Sequence, residues 1–295
     1  MRIVIAGGTG FLGAALTASL RSRGHDVSVL ARRAERPNEV NWAPGGGPGP
    51  WTATVQQADA VVNLAGAPLI GARWTPARKR AIRDSRTAAT RALARAILSA
   101  ARPPLFISGS AVGIYGARGD EPVDEDAQPG SDFLASVCLD WEGAAQEAAP
   151  RTRVVLVRTG IVLARRGGAL PQLARPFWFF VGGPVGSGRQ YVSWIHLDDW
   201  VGLVEWAMAT AAAAGPLNAT APTPVTNGEL ATALGAALRR PSFLRTPALP
   251  LRLALGEMAD AAILNGQRVV PAKAQALGFV FKYPTIDAAL SAIYA

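Results

Sequence analysis

The chain has 295 residues, 49% of them hydrophobic, which is enough for one large domain or two small ones around a sizeable core. Its single cysteine, Cys138, excludes an internal disulfide, and with only two histidines no metal site is expected. The net charge of +9 comes almost wholly from arginine, and its densest cluster, Arg78-Lys79-Arg80 with Arg83 and Arg86, has no interleaved aromatics, so it reads as a solvated helix face with a few anion-binding arginines and not as a nucleic-acid surface.

Arg2 to Ala6 is a short apolar run with β-branched residues, long enough for one buried strand. Gly7, Gly8 and Gly10 follow at once, and from Gly13 a helical pattern runs through Leu16 and Leu20 to Arg23. Strand, glycine turn and helix in that order are the context that gives a glycine motif its meaning as a dinucleotide site. Gly7 permits the tight turn, Gly10 lets the backbone approach a pyrophosphate, and Gly13 lets the helix pack on the strand. The helix start offers free N–H groups and a positive dipole end to phosphates.

Gly24 ends that helix, and His25 to Ala31 reads as the second strand. An NAD-specific site usually places an acidic residue after this strand to bond the ribose 2′-hydroxyl. Here Ala31-Arg32-Arg33 stands instead. A guanidinium pairs with a 2′-phosphate that a carboxylate would repel, so the expected cofactor is NADP(H), held in part by Arg32 and Arg33.

Pro44 to Pro50 form a Gly/Pro loop, followed by a short helix over 51–58, a buried strand over 60–66 and a long helix from Pro76 to Ala101. Leu105 to Ser110 is strand, Asp132 to Ala149 helix, and Arg153 to Thr159 strand again. Strands alternating with helices predict an α/β fold with a doubly wound parallel sheet. Beyond Gly160 an apolar segment is punctuated by Gly167-Gly168 and Gly182-Gly183-Pro184. Tyr191 to Leu197 reads as strand, with Asp198 or Asp199 capping the helix after it. Pro216 to Ala221 is a late strand, and Thr226 to Glu229 has capping-box spacing. A further helix is expected over 251–264.

The predicted division is a nucleotide-binding Rossmann domain over 1–165 with 190–222, and a smaller α+β lobe over 166–189 with 223–295. The cleft between them would hold substrate. The most apolar later stretch, Phe177 to Val181, is too short to span a bilayer, and Met1-Arg2 leads straight into the first strand. The expectation is a chain that is cytoplasmic, or organellar once processed, with no membrane partner.

Gly7-x-x-Gly10-x-x-Gly13, Asn63-Leu-Ala-Gly66 and Ser110 to Tyr115-Gly116 resemble the extended short-chain dehydrogenase/reductase superfamily. Arg73-Trp74, Asp84-Ser-Arg86, Cys138-x-Asp-Trp-Glu142, Ser193 to Asp199 and Leu255 to Asp260 resemble, more narrowly, its branch of epimerase family proteins, also called cell-division-inhibitor-like. That resemblance covers essentially the whole chain, including a C-terminal domain that the wider superfamily lacks. It implies NADP(H) contacts at Thr9, Gly10, Phe11, Leu12, Arg32, Leu64, Ala65 and Arg86, and the superfamily's habit of a homodimer through the long helices.

One departure bears on chemistry. Superfamily oxidoreductases carry Tyr-x-x-x-Lys on one helix face, where the lysine's charge lowers the tyrosine's pKa. The corresponding helix here, Asp132 to Glu142, contains neither residue type. Phe133 or Leu134 stands at the tyrosine position, and Val137 or Cys138 at the lysine position. Three candidates remain for the missing group: Ser110, which matches the serine that bonds a substrate oxygen, Tyr115 on the same loop, and Cys138. Glu142, one turn on, becomes a base only if buried. Nucleotide-sugar epimerases also place a diphosphate-binding arginine where this chain has Val192, so a nucleotide sugar is not the expected substrate. The sequence therefore predicts an NADP(H)-binding oxidoreductase or epimerase acting on an unknown small molecule. Its competitor is a catalytically silent NADP(H)-binding regulatory or redox-sensing protein.

Overall fold

The computed structural model of the chain describes residues 1–45, 47–69 and 73–295. Seven strands form one parallel sheet: β1 (Arg2–Ala6), β2 (Asp26–Ala31), β3 (Glu39–Asn41), β4 (Ala60–Asn63), β5 (Leu105–Ala111), β6 (Val154–Thr159) and β7 (Gly215–Ala219). Their order across the sheet is β7-β6-β5-β4-β1-β2-β3. The winding reverses between β1 and β4, so a crevice opens beyond the carboxyl ends of those two strands, where ligands of such sheets bind.

Helices α1 (Phe11–Ser22), α2 (Pro50–Gln56), α3 (Pro76–Leu98), α4 (Phe133–Gln146), α5 (Leu170–Trp178) and α6 (Leu197–Ala209) follow in chain order. Alternation along β1 decides the two layers. Ile3 and Ile5 enter a core with Leu16 and Leu20 of α1 and Trp200 and Leu203 of α6. Val4 and Ala6 enter the opposite core with Val55 of α2, Leu93 and Ile97 of α3 and Ala145 of α4. Each large aliphatic side chain buried this way contributes about 1.5–3 kcal/mol. The expected doubly wound α/β fold is the one observed.

A third core joins Leu170 and Phe177 of α5 to Leu230 and Leu234 of α7 (Asn227–Leu238) and to Ile286 and Leu290 of the last helix, Ile286–Tyr294. The late chain returns to the sheet body: Arg268–Val269 pairs in parallel with Pro122–Val123.

Several boundaries differ from the sequence expectation. Strand β3 was not anticipated, because it has three residues, none fully buried, and no apolar run. Helix α3 stops at Leu98, three residues early, in a turn through Ser99. The segment 191–197 divides at Ser193, whose Oγ donates to Gln267 O (2.6 Å) and accepts from Val269 N (2.9 Å). On either side, Tyr191–Val192 pairs with Val225–Thr226 and Trp194–His196 with Ile161–Leu163. The cap of α6 is His196, not an aspartate: its Nδ1 accepts from Asp198 N at 3.1 Å. Asp198 and Asp199 sit in the first turn, where the helix dipole favours negative charge. The helix expected over 251–264 is instead α8 (Ala248–Leu255), broken at Gly256 with φ +61°, and a π-helical turn over Asp260–Leu264.

Candidate functional site: a glycine-lined crevice beside a buried polar network

The turn after β1 is closed by Gly10 N donating to Gly7 O at 3.0 Å. Gly7 has φ +81°, and a Cβ there would lie 2.7 Å from the carbonyl carbon of Leu64. A Cβ at Gly13 would lie 2.2 Å from Gly7 O, so only glycine lets α1 start this close to the turn. No side chain caps α1, which leaves its first N–H groups directed at the crevice. The Phe11 ring is covered by Gly167 and Gly168, where Cβ atoms would lie 2.5 and 2.9 Å from it. The sequence had shown this pair only as punctuation.

A cavity of about 410 Å³ adjoins the turn and is lined by Gly8, Thr9, Thr17, Arg33 and Arg36 among others. Arg32 and Arg33 are exposed, and among the described residues neither forms an ion pair. Across the crevice Leu64 N donates to Ala6 O (2.8 Å) and Ala65 N to Asn63 Oδ1 (3.2 Å). Buried Asn63 donates in turn to Thr90 Oγ1 of α3 at 2.7 Å, which pins the loop after β4.

Arg86 is 9% exposed and has no carboxylate partner among the described residues. Its Nη1 donates to Ala67 O (3.1 Å) and Ile82 O (3.0 Å), and its guanidinium lies 5.2 Å from the Trp141 ring centroid. Burial pulls its pKa below the ordinary arginine range. A Cβ at Gly66 would come within 3.1 Å of the guanidinium carbon, so the loop after β4 lies directly on it. The buried Trp141 Nε1 has no hydrogen-bond partner among the described residues.

Beside the crevice lies a polar network. Ser110 Oγ donates to Glu142 Oε1 at 2.6 Å. Arg158 grips the same carboxylate through Nε and Nη2, both at 2.9 Å, and donates to Tyr115 Oη at 2.9 Å and Glu125 O at 3.2 Å. Tyr115 Oη donates to Asn218 Oδ1 at 2.7 Å. Glu142 is buried, contrary to the ordinary fate of a helix glutamate. Burial works against the charge of Arg158 but is outweighed by the hydrogen bond and the negative charge of Glu142, so its pKa is held above the ordinary value. Burial pushes Tyr115 up to about 12, opposed by Arg158. Burial, with the Glu142 charge, likewise pushes the Cys138 thiol up to about 12. Tyr115 and Cys138 are therefore protonated at neutral pH.

The structure thus brings Ser110, Tyr115 and Glu142 into one internal network, with Cys138 against it, and sets Arg86 beneath the loop after β4. Arg158 and Asn218 had no site role in the sequence reading. The signal was an arginine inside the otherwise apolar run Val154 to Thr159, since a charge in a buried strand requires a partner. At the N-terminal half of α4, Phe133 meets Trp74 edge-on with centroids 5.2 Å apart. Leu255 and Met258 pack on the same cluster, so the tail covers the face where a Tyr/Lys pair would stand.

The reversed strand order, the glycine turn and the paired arginines define a dinucleotide-binding Rossmann protein with a built-in second lobe. The chain belongs to the NAD dependent epimerase/dehydratase family, whose model matches residues 3–219; residues 246–293 match a domain of unknown function, DUF1731. It is 44% identical to epimerase family protein ML0860 of Mycobacterium leprae, over 98% of this chain and 94% of that protein. A crystal structure of human epimerase family protein SDR39U1 with NADPH superposes with a TM-score of 0.92 at 36% identity, covering 100% of this chain and 99% of that one. A crystal structure of the nucleoside-diphosphate sugar epimerase from Corynebacterium glutamicum is 35% identical, with a TM-score of 0.83 over 100% of this chain and 58% of that one.

Proposed function

We propose that the chain is an NADP(H)-dependent oxidoreductase or epimerase in which Arg86 supplies the charge that a Tyr/Lys pair supplies elsewhere. The observation carrying this reading is a buried guanidinium without a counter-ion at the edge of the glycine crevice. Burying an unpaired charge costs several kcal/mol, and an anionic or oxyanionic ligand offsets that cost. The residues fit the cofactor. The cradle at Gly7, Gly10 and Gly13 admits no Cβ at its two tightest points. Phe11 and Leu12 open α1 toward the pyrophosphate, Thr9 lines the adjoining cavity, and Leu64 and Ala65 form the far wall. Arg32 and Arg33 are free to hold a 2′-phosphate. The NADPH in the human relative's structure supports the same choice.

When bound, the cofactor supplies or accepts hydride at a carbonyl or alcohol carbon. Arg86 would stabilise the negative charge that develops on the oxygen, through the Nε and Nη2 donors that no described residue occupies. Ser110 enters this proposal as a positioning residue: its hydroxyl, spent on Glu142, fixes the end of β5 beside the reacting centre. Tyr115 and Cys138, protonated and enclosed, hold the same wall. The lobe of 166–189 with 223–295 closes the cleft over a small molecule. Buried Val192 at the diphosphate position supports a substrate other than a nucleotide sugar.

The internal commitment of Ser110, Tyr115 and Glu142 favours a second reading, an NADP(H)-binding regulatory or redox-sensing protein without turnover. Titration calorimetry tests the cofactor: NADPH binds at least about tenfold tighter than NADH, a difference of about 1.4 kcal/mol, and Arg32→Glu/Arg33→Glu removes the preference. Equal affinity for the two would sink it. A carbonyl-substrate screen following NADPH absorbance separates the readings, because turnover abolished by Arg86→Gln excludes the silent one.

A further inference from the structure

Two segments of the later chain are free of acidic residues. Residues 148–197 contain seven arginines and no Asp or Glu, and residues 230–256 contain four arginines and again no Asp or Glu. The fold places them side by side. Leu244 N donates to Gly182 O (3.1 Å), Thr246 N to Pro184 O (2.9 Å) and Gly186 N to Thr246 O (2.9 Å). The Arg240 guanidinium lies 4.7 Å from the Phe180 ring and 5.6 Å from the Trp178 ring.

This joined surface carries the most exposed run of large apolar side chains among the described residues. Trp178, Phe179, Phe180 and Val181 are 50, 69, 56 and 51% exposed, and Phe243 beside them is 76% exposed. Helix α8 has the sequence Ala-Leu-Pro-Leu-Arg-Leu-Ala-Leu and buries none of its residues. Phe180 has φ +61°, a left-handed backbone that a phenylalanine adopts only under strain, and the turn directs three consecutive apolar side chains outward. Its amides are satisfied within the turn: Phe179 N and Val181 N donate to Pro176 O, and Phe180 N to Phe177 O. Around the rim Arg175, Arg239, Arg240 and Arg245 form no ion pair among the described residues.

We infer that this face docks peripherally on an anionic phospholipid bilayer. The aromatic turn would enter the headgroup region, and the four arginines would pair with lipid phosphates, the arrangement of interfacial anchors generally. Charge decides against a second copy of the chain, since a twofold contact would set arginine against arginine with no carboxylate to receive either. The turn satisfies its own amides, which leaves few directional donors for a protein partner and lets its apolar tip enter the headgroup region without stranding an N–H. Such docking departs from the sequence expectation of no membrane partner: no helix among the described residues is long and apolar enough to span, but a surface contact needs no span.

The test must separate this face from the general attraction of a chain with net charge +9. Full-length protein is sedimented with phosphatidylcholine vesicles, alone or mixed with phosphatidylglycerol. Binding is expected on the mixed vesicles only. Phe179→Ser/Phe180→Ser should weaken it about tenfold or more, as removal of two buried aromatic anchors does. Arg95→Gln/Arg102→Gln, remote exposed arginines, should leave it within about twofold, whereas Arg239→Gln/Arg245→Gln should weaken it as much as the loss of two phosphate contacts requires. With brominated acyl chains, tryptophan emission should be quenched, and Trp178→Phe should remove the quenched component. Wild-type affinity in the Phe179/Phe180 variant, or no binding to mixed vesicles, would overturn the inference. So would a wild-type dimer in solution that this variant makes monomeric.

Discussion

Arg86 and Arg158 are both buried arginines, and the difference between them separates ligand binding from architecture. Arg158 spends its donors on Glu142, Tyr115 and Glu125, whereas among the described residues Arg86 reaches two carbonyls and an indole face. Removing one member of the closed pair leaves a charge buried alone, which costs about 3–5 kcal/mol. Glu142→Ala should therefore lower the denaturant midpoint sharply, and Glu142→Leu/Arg158→Met should recover much of the loss. Additivity of the single variants would show that the pair does not couple. Arg86→Gln should behave in the opposite way. The apo melting temperature stays level or rises, because an uncompensated charge is gone, while the rise produced by saturating NADPH shrinks. An unchanged NADPH shift would remove Arg86 from the site.

At the level of elements, the glycine turn leaves least latitude. Gly13→Ala would push a methyl into Gly7 O unless α1 moves away from β1, so NADPH affinity should fall by at least about tenfold while the rest of the fold persists. Calorimetry on a variant with native circular dichroism measures this. The N-terminus of α6 gives a pH dependence. Burial lowers the His196 pKa from its ordinary 6.5, although Asp198 and Asp199 pull it back up. The folded state thus binds the proton less readily than the unfolded chain. This contribution to stability is complete above about pH 6.5 and is lost as pH falls through the folded-state pKa. His196→Asn keeps a side-chain acceptor for Asp198 N and should flatten the decline of melting temperature below that pH.

These elements also show what sequence could and could not give. β1, the glycine turn and α1 are contiguous, so period and punctuation were sufficient to place them, and the same holds for the paired arginines after β2. The α/β alternation followed from local pattern as well. The polar network did not, because its bonds join residues far apart: Tyr115 and Asn218 are 103 positions apart, and Arg158 and Tyr115 are 43 apart. A lone arginine in an apolar strand signals that a partner exists without saying which. The break of the tail at Gly256 was hidden for another reason. The leucines before it, Leu249, Leu251, Leu253 and Leu255, alternate with Pro250, Arg252 and Ala254, so no helical period runs up to the glycine to mark a stop there.

For the whole molecule, the question is what holds the late chain on the nucleotide-binding body, given that it covers the face of α4 where a proton donor would stand. Glu125 sits at the junction. One carboxylate oxygen accepts from Asn218 N of β7 at 2.9 Å and the other from Lys273 N of the tail at 3.1 Å. Asn218 Nδ2 then donates to Val270 O at 2.9 Å, and Gln267 Nε2 to Val112 O at 2.9 Å just beyond β5. The tail is thus tied to the sheet ends by one charge-assisted bond, from Lys273 N to Glu125, contributing about 1.5–3 kcal/mol, and by two neutral amide–carbonyl bonds contributing about 0.5–1.5 kcal/mol each. Glu125→Ala removes both carboxylate bonds and leaves the buried Asn218 amide and the part-buried Lys273 amide without acceptors. Hydrogen exchange should then quicken over 266–276 and at Asn218, with α1 and β1 unchanged. The same variant should expose Trp74 and Phe133 as Leu255 and Met258 lift, raising quenching of tryptophan emission by acrylamide. Exchange that quickens uniformly would mean that Glu125 supports the global fold instead. Exchange that stays slow would place the anchor in the apolar contacts of Met258 and Val269.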